Sequence, residues 1–243
     1  MLRRIYRSFH LAISTQLKNC SSGMVVELGS GISDITEVIP QCIRTDLFPH
    51  PWADRVENAY NLSFSEHSVS NLILFDVFHH LRYPGAALNE FRRVLISQGR
   101  VIIFEPYISL LGWIVYGLLH REPVRFNKPI QWDSPPGWNA KDLGYYAAQG
   151  NATRIFLRRE IDVSAFGWNV ILTKRMSSIS YVASGGYSRP QMYPTHALPI
   201  MQKIDRVLDH IPFVFCTRLL VVLQKMDRAE QIAAADMEGA AAF

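Results

Sequence analysis

Over the first 107 residues, short apolar runs alternate with stretches whose apolar residues recur at helical spacing. Met24–Leu28 is an apolar run that ends in glycines and predicts a first strand. Residues 33–38 can open a helix, with Ser33 or Asp34 as its cap. Cys42–Asp46 predicts a second strand closed by an acid, residues 55–59 a weak third and residues 70–75 a clear fourth. In residues 86–95, Ala87, Leu88, Phe91, Val94 and Leu95 fall on one helical face. Ser97-Gln98-Gly99 reads as a turn, and residues 100–105 as a fifth strand. Such alternation implies βαβ units around a parallel sheet.

Beyond the fifth strand the pattern changes. Residues 106–150 are rich in Trp, Tyr, Pro and Gly and predict a partly helical insertion over the carboxyl ends of the strands. Within it, the apolar run 108–119 falls short of the ~20 residues needed to span a bilayer. It reads as a buried helix, a substrate lid or an interfacial helix. Residues 151–161 return to helical spacing, 168–175 can form a sixth strand, and 218–225 form a strong seventh. Residues 184–199, with their glycines and prolines, read as loop. At the amino terminus, Leu2, Ile5, Tyr6, Phe9 and Ile13 mark an amphipathic helix that packs on the domain. The basic start resembles that of a signal peptide, but no apolar core region follows it. The expected organisation is one domain over residues 1–228, with a cofactor half at about 20–107, and a flexible alanine-rich tail at 229–243.

Composition narrows the function classes. A chain of 243 residues that is 49% hydrophobic and 19% charged has ample material for one core. The net charge of +4 permits anionic partners without demanding them. No Lys/Arg block is interleaved with aromatics as single-strand binding prefers, which argues against nucleic acid. Cys20, Cys42 and Cys216 are too scattered for a disulfide framework, and without CxxC spacing no metal site is expected. A reducing, cytoplasmic compartment fits, with peripheral contact to the inner face of the membrane left open.

The segment that carries chemistry is Val25-Val26-Glu27-Leu28-Gly29-Ser30-Gly31, an apolar strand running into an acid and then Gly-x-Gly. Glycines serve where a chain turns sharply and a ligand approaches the backbone. A dinucleotide fingerprint needs a further small residue where this chain has Asp34, whose charge repels a pyrophosphate. That disfavours a nucleotide-binding oxidoreductase and suits a ligand with an amino-acid end. Asp46, at the end of the second strand, can accept hydrogen bonds from both ribose hydroxyls.

With these residues in view, the chain resembles the class I S-adenosylmethionine-dependent methyltransferases, in their small-molecule, type 11-like branch. Three stretches carry the resemblance: VVELGSGIS, NAYNLSFSEHSVSNLILFDVFHHL and LNEFRRVLISQGRVIIFEPY. It covers about residues 20–107. It implies a doubly wound α/β fold, a mostly parallel seven-stranded sheet in the order 3-2-1-4-5-7-6 with the last strand antiparallel. It also implies S-adenosyl-L-methionine as cofactor, with Glu27, Gly29, Ser30 and Gly31 around its methionine part. Asp46 would hold the ribose, Leu47 would pack on the adenine, and Asn58, Asn61 and Leu62 would lie at the adenine edge. Phe75 and Asp76 would lie near the methionine and the sulfonium. The chain departs from the family at Ser63, where a proline is usual, and at Asn58 and Asn71, where acids are common.

His79 and His80, just past the fourth strand, are candidates for removing a proton from the acceptor, and structural packing explains them equally well. Glu105 and Tyr107 fall on the same rim and are candidates for positioning a substrate, with a helix cap or a core contact as the equal alternative. Arg92 and Arg93 with Glu90 read as a solvated face or a structural ion pair. The expected acceptor is a small molecule, a glycan or a lipid-linked group, probed by the aromatics of 106–150, and O-methylation is the expected reaction. A non-catalytic module of the same fold stays open, with Asn58 and Asn71 as its support.

Overall fold

A computed structural model describes residues 1–18, 23–142, 144–187 and 189–227. The tail expected at 229–243 lies outside them. Seven strands form one sheet: β1 (Met24–Leu28), β2 (Cys42–Asp46), β3 (Arg55–Val56), β4 (Val69–Phe75), β5 (Leu95–Pro106), β6 (Trp168–Ser177) and β7 (Cys216–Lys225). Their order is β3-β2-β1-β4-β5-β7-β6. The first five run parallel, and β7 is antiparallel to both β5 and β6. This is the doubly wound, Rossmann-like methyltransferase arrangement that the motifs imply.

The alternation of strand side chains sorts the core into two layers. Leu72 and Leu74 face one side, with Val26, Phe91 and Val221; Ile73 and Phe75 face the other, with Ile35, Phe104 and Val222. The first layer is closed by α2 (Pro84–Val94) and the second by α1 (Leu2–Ser14), whose Ile5, Phe9 and Ile13 are buried. The amino-terminal helix therefore belongs to the fold.

Three local departures from the expected pattern have clear causes. Between β1 and β2 only one 3-10 turn forms, Ile35–Glu37, because β-branched Ile35, Thr36 and Val38 lead straight into Pro40. Asp34 caps it, accepting from the Thr36 N–H at 3.0 Å. In β5, Leu95 pairs with Val69 and Arg100 with Asn71, so the predicted Ser97-Gln98-Gly99 turn is a bulge inside a longer strand. Gln98 supplies the positive φ, 53°. Finally, the loop expected over residues 184–199 gives way at its end to the turn Thr195–Ala197 and the helix Leu198–Leu208.

Asn71, where the family has an acid, is a structural ligand of the chain before β1. Its Oδ1 accepts from the Lys18 N–H at 2.8 Å and its Nδ2 donates to the Lys18 carbonyl at 3.2 Å. It lies at the opposite end of β4 from the glycine turn, so its identity says nothing about ligand binding. Glu90 and Arg93 are a structural pair. Glu90 accepts from the Leu62 N–H at 2.7 Å, and Arg93 donates to the carbonyls of Leu62 and Phe64.

Candidate active site

The carboxyl ends of β1, β2 and β4 meet at a cavity of about 460 Å³, within the range of small-molecule sites. Leu28 and Gly29 form its floor, Asp46 and Leu47 one wall, and Asp76 and His80 the other. Tyr145 and Tyr146, from the segment after β5, close over it.

The glycine turn is built for close approach. Gly29 has φ 69°, and a Cβ there would stand 2.5 Å from Cγ2 of Val77, itself a cavity residue. Gly31 has φ 53°, and its N–H donates to Asp46 Oδ2 at 3.1 Å. Asp46 thus fastens the turn while facing the cavity. Asp46 also accepts from the Phe48 N–H at 3.4 Å and lies 3.3 Å from His50 Nε2, so of a carboxylate's roughly four acceptor positions some remain for a ligand hydroxyl. The Ser30 N–H is tied to the Thr45 carbonyl at 2.9 Å, and its hydroxyl is buried without a hydrogen-bond partner.

Beneath the turn lies Glu27, fully buried, with neither carboxylate oxygen hydrogen-bonded. Burial pushes its carboxyl up to about 8. A buried acid without a donor fits a place that receives a cationic amino group. With the glycine turn and Asp46, it makes these residues a fit for S-adenosylmethionine. The raised value has its own consequence. The folded protein holds the Glu27 proton more tightly than the unfolded chain, so this residue lowers stability as pH rises from about 4.5 through 8. Glu27→Gln is expected to remove that decline. Thermal midpoints of the two proteins should converge near pH 5 and separate by pH 8 in favour of the variant. Parallel curves would contradict the assignment.

A second cavity, of about 380 Å³, lies on the other side of Asp76 and His80. It is lined by Tyr116, Leu119, His120 and Glu122 from the segment after β5, and by Tyr181 and Arg218. Asp76 and His80 line both cavities. Asp76 is held in the left-handed region, φ 55°, and ion-pairs with Arg218. The Arg218 side chain is buried, with Phe9, Phe75, Phe104 and Tyr181 rings 5.0–5.9 Å from its guanidinium carbon. Burial disfavours its charge, but Asp76 outweighs that and raises its proton affinity.

His79 and His80 stand on a single 3-10 turn, Phe78–His80. His79 is buried between two acids: its Nδ1 lies 2.6 Å from Glu105 Oε2 and its Nε2 3.1 Å from Glu122 Oε2. Glu105 also accepts from the Phe78 N–H at 2.7 Å, so it orients the turn and the ring together. Burial alone would lower the proton affinity of His79, but the two carboxylates outweigh it and raise it. Glu122 receives further bonds, from Tyr145 at 2.9 Å and Gln149 at 2.7 Å. His80 places Nδ1 2.8 Å from the Tyr146 carbonyl.

The residues named from the sequence separate into two groups. Gly29, Asp46, Leu47, Asn58, Asp76 and His80 line the first cavity. Glu27 at the end of β1 and Ser30 and Gly31 in the turn adjoin it without lining it, His79 lines the second cavity, and Glu105 is buried against His79. Four others do not reach either cavity. Phe75 points to the α1 side, where it stacks with Tyr6 and Phe104. Leu62 and Tyr107 are buried in the opposite core layer, and Asn61 is exposed. Asn58 has both ends of its amide engaged, Nδ2 to the Ala140 carbonyl at 2.7 Å and Oδ1 from the Tyr60 N–H at 3.0 Å. The acid in that wall is its neighbour Glu57, which also binds the Ser63 N–H. Glu122, Gln149 and Arg218 were not singled out, since only tertiary structure brings them to the turn after β4.

Residues 27–103 match the methyltransferase domain family. No curated protein matches the chain. Among solved structures, it is similar to a SAM-dependent methyltransferase from Archaeoglobus fulgidus, with a TM-score of 0.55 and 10% identity over 92% of this chain and 94% of that one. It is also similar to a chain from the complex of the Haloferax volcanii Trm112 methyltransferase activator with a methyltransferase. There the TM-score is 0.53, with 14% identity over 93% of each chain. The strand order and these structural likenesses give the chain the fold of the S-adenosylmethionine-dependent methyltransferases, and residues 27–103, which hold the glycine turn, match the methyltransferase domain family.

Proposed function

We propose that the protein transfers the methyl group of S-adenosylmethionine to an oxygen of a small-molecule acceptor, one carrying a glycan or a lipid tail. The observation that carries this reading is the wall shared by two cavities: Asp76 and His80 face the cofactor side and the second cavity at once. A bound sulfonium supplies an already activated methyl group. The protein's own work is then alignment and exclusion of water. Glu27 and the glycine turn receive the amino-acid end, and Asp46 the ribose. Asp76, fixed by Arg218, and His80, fixed by the Tyr146 carbonyl, bound the passage between donor and acceptor.

Residues 106–150 act as the lid in this reading, since they contribute to both cavities. Helix α3 (Leu110–Gly112) runs on as wider π-type turns over Trp113–Leu118. Its inner side gives Val115 and Tyr116 to the acceptor cavity, while Leu110, Trp113, Ile114 and Leu118 are exposed. An apolar outer face beside the acceptor cavity supports an amphiphilic acceptor taken from a membrane surface. Among the described residues, no helix is long and apolar enough to cross a membrane.

The test is transfer of labelled methyl from S-adenosylmethionine into fractionated cell extract. Label is expected in the lipid or glycan fraction, as alkali-stable methyl ether or alkali-labile methyl ester. Label confined to nucleic acid or protein would overturn the acceptor assignment.

A further inference from the structure

Three ligand-type side chains converge on the acceptor side of the Asp76–His80 wall. His79, His80 and Glu122 each present one atom to a common point, all within 4.8 Å of one another. Both rings are oriented by the same device. His80 Nδ1 faces the Tyr146 carbonyl at 2.8 Å, and a carbonyl can only accept, so the ring carries its proton on Nδ1. His79 Nδ1 likewise faces the Glu105 carboxylate at 2.6 Å. Each ring is left with Nε2 turned toward Glu122, at 3.1 Å from Oε2 for His79 and 3.5 Å from Oε1 for His80.

With both rings neutral, their Nε2 lone pairs face the Glu122 carboxylate, an arrangement that calls for a cation among them, a metal ion or a proton. The separations suit a metal ion. Donors about 2.0–2.1 Å from a tetrahedral zinc stand roughly 3.3 Å apart, and the two distances to Glu122, one to each of its oxygens, bracket that value. Ring N–H groups bound to a carboxylate and a backbone carbonyl are also the outer partners that metal-bound histidines usually have. Gln149 lies against the same point. Its Nε2 is 2.7 Å from Glu122 Oε2 and 3.4 Å from His79 Nε2, and its Oε1 is buried without a partner.

We propose that His79, His80 and Glu122 bind a divalent metal ion, zinc above all, at the wall of the acceptor cavity. Two histidines and one carboxylate leave a fourth position, and all three residues line the second cavity together with Tyr116 and His120. There the ion would hold an oxygen of the acceptor, a hydroxyl or a carboxylate, beside the point of methyl transfer. This role at the acceptor rests on the function proposed above; the binding of the ion does not. It also revises the sequence-based expectation of no metal, which considered cysteine spacing alone.

The test uses the full chain, stripped with a chelator and titrated with zinc chloride by calorimetry, with metal content measured after gel filtration. Cobalt chloride gives a second readout through the visible bands of a tetrahedral site. One ion per chain is expected. His80→Ala and Glu122→Gln should weaken binding by more than the roughly 10–100-fold typical of losing an outer partner, and Glu105→Gln by about that amount. His80 and Glu122 are only partly buried, so these variants should fold, which circular dichroism checks. If the folded protein takes up neither zinc nor cobalt, a proton on His79 fills the place of the ion and the inference falls. It also falls if both variants bind zinc as the parent does. Titration of the stripped protein with S-adenosylmethionine keeps the two questions apart, since cofactor binding without metal would leave the proposed function standing.

Discussion

Asp76→Asn is expected to cost about 3 kcal/mol of folding stability and to reduce methyl transfer by roughly a hundredfold at temperatures where the variant is folded. Asparagine tolerates the left-handed conformation that Asp76 adopts, φ 55°, so the backbone has no reason to move. What changes is charge. The Arg218 side chain, 2% exposed among four aromatic rings, loses its anion and becomes an uncompensated buried cation. Breaking a buried pair by removing one partner costs about 3–5 kcal/mol, and the lower end applies because the Asp76 side chain is 30% exposed. The kinetic loss follows from position, since Asp76 lines both the proposed cofactor cavity and the second cavity. Urea unfolding and single-turnover transfer read the two effects separately. A variant as stable as the parent would show that the pair holds nothing in place.

Gly29→Val should abolish cofactor binding within the range of calorimetry while leaving the sheet folded. The new Cβ would stand 2.5 Å from Val77 Cγ2, and Val77 is β-branched with few rotamers to yield. A β-branched residue is also strained at φ 69°, by about 1–3 kcal/mol. The turn can relieve both only by moving away from Val77 and so out of the cavity floor. Far-ultraviolet circular dichroism should be unchanged apart from a lowered melting temperature. Cofactor affinity equal to that of the parent would mean that Gly29 does not form the floor of the site.

The sheet was legible because each strand carries its own signal. Apolar runs at Met24–Leu28, Cys42–Asp46 and residues 70–75 coincide with β1, β2 and β4 to within a residue. Much of the lining of the first cavity was legible for the same reason: Gly29, Asp46 and Asp76 sit at strand ends, and strand ends are where such sheets bind ligands. Side-chain direction was harder to read. Phe75 is next to Asp76, yet strand alternation sends it to the α1 face, and Tyr107 turns into the opposite core layer. Hydrophobicity alone cannot tell a cavity wall from a core. The second cavity was the least legible. Glu122 meets His79 across 43 residues and Arg218 meets Asp76 across 142, with no local pattern to announce either pairing. Asn58 and Asn71 read as losses of family acids, but each is a tether: one holds the Ala140 segment over the cavity, the other the chain before β1.

The central claim is that the cavity between Gly29, Asp46 and Asp76 receives S-adenosylmethionine. Its most direct test is calorimetric titration of the full chain with S-adenosylmethionine at neutral pH, repeated with Asp46→Ala and with NAD as competitor. The expected result is one site per chain, much weaker in Asp46→Ala because the ribose diol loses a charged acceptor, and undisturbed by NAD. Absence of binding by the folded protein, or displacement by NAD, would contradict it.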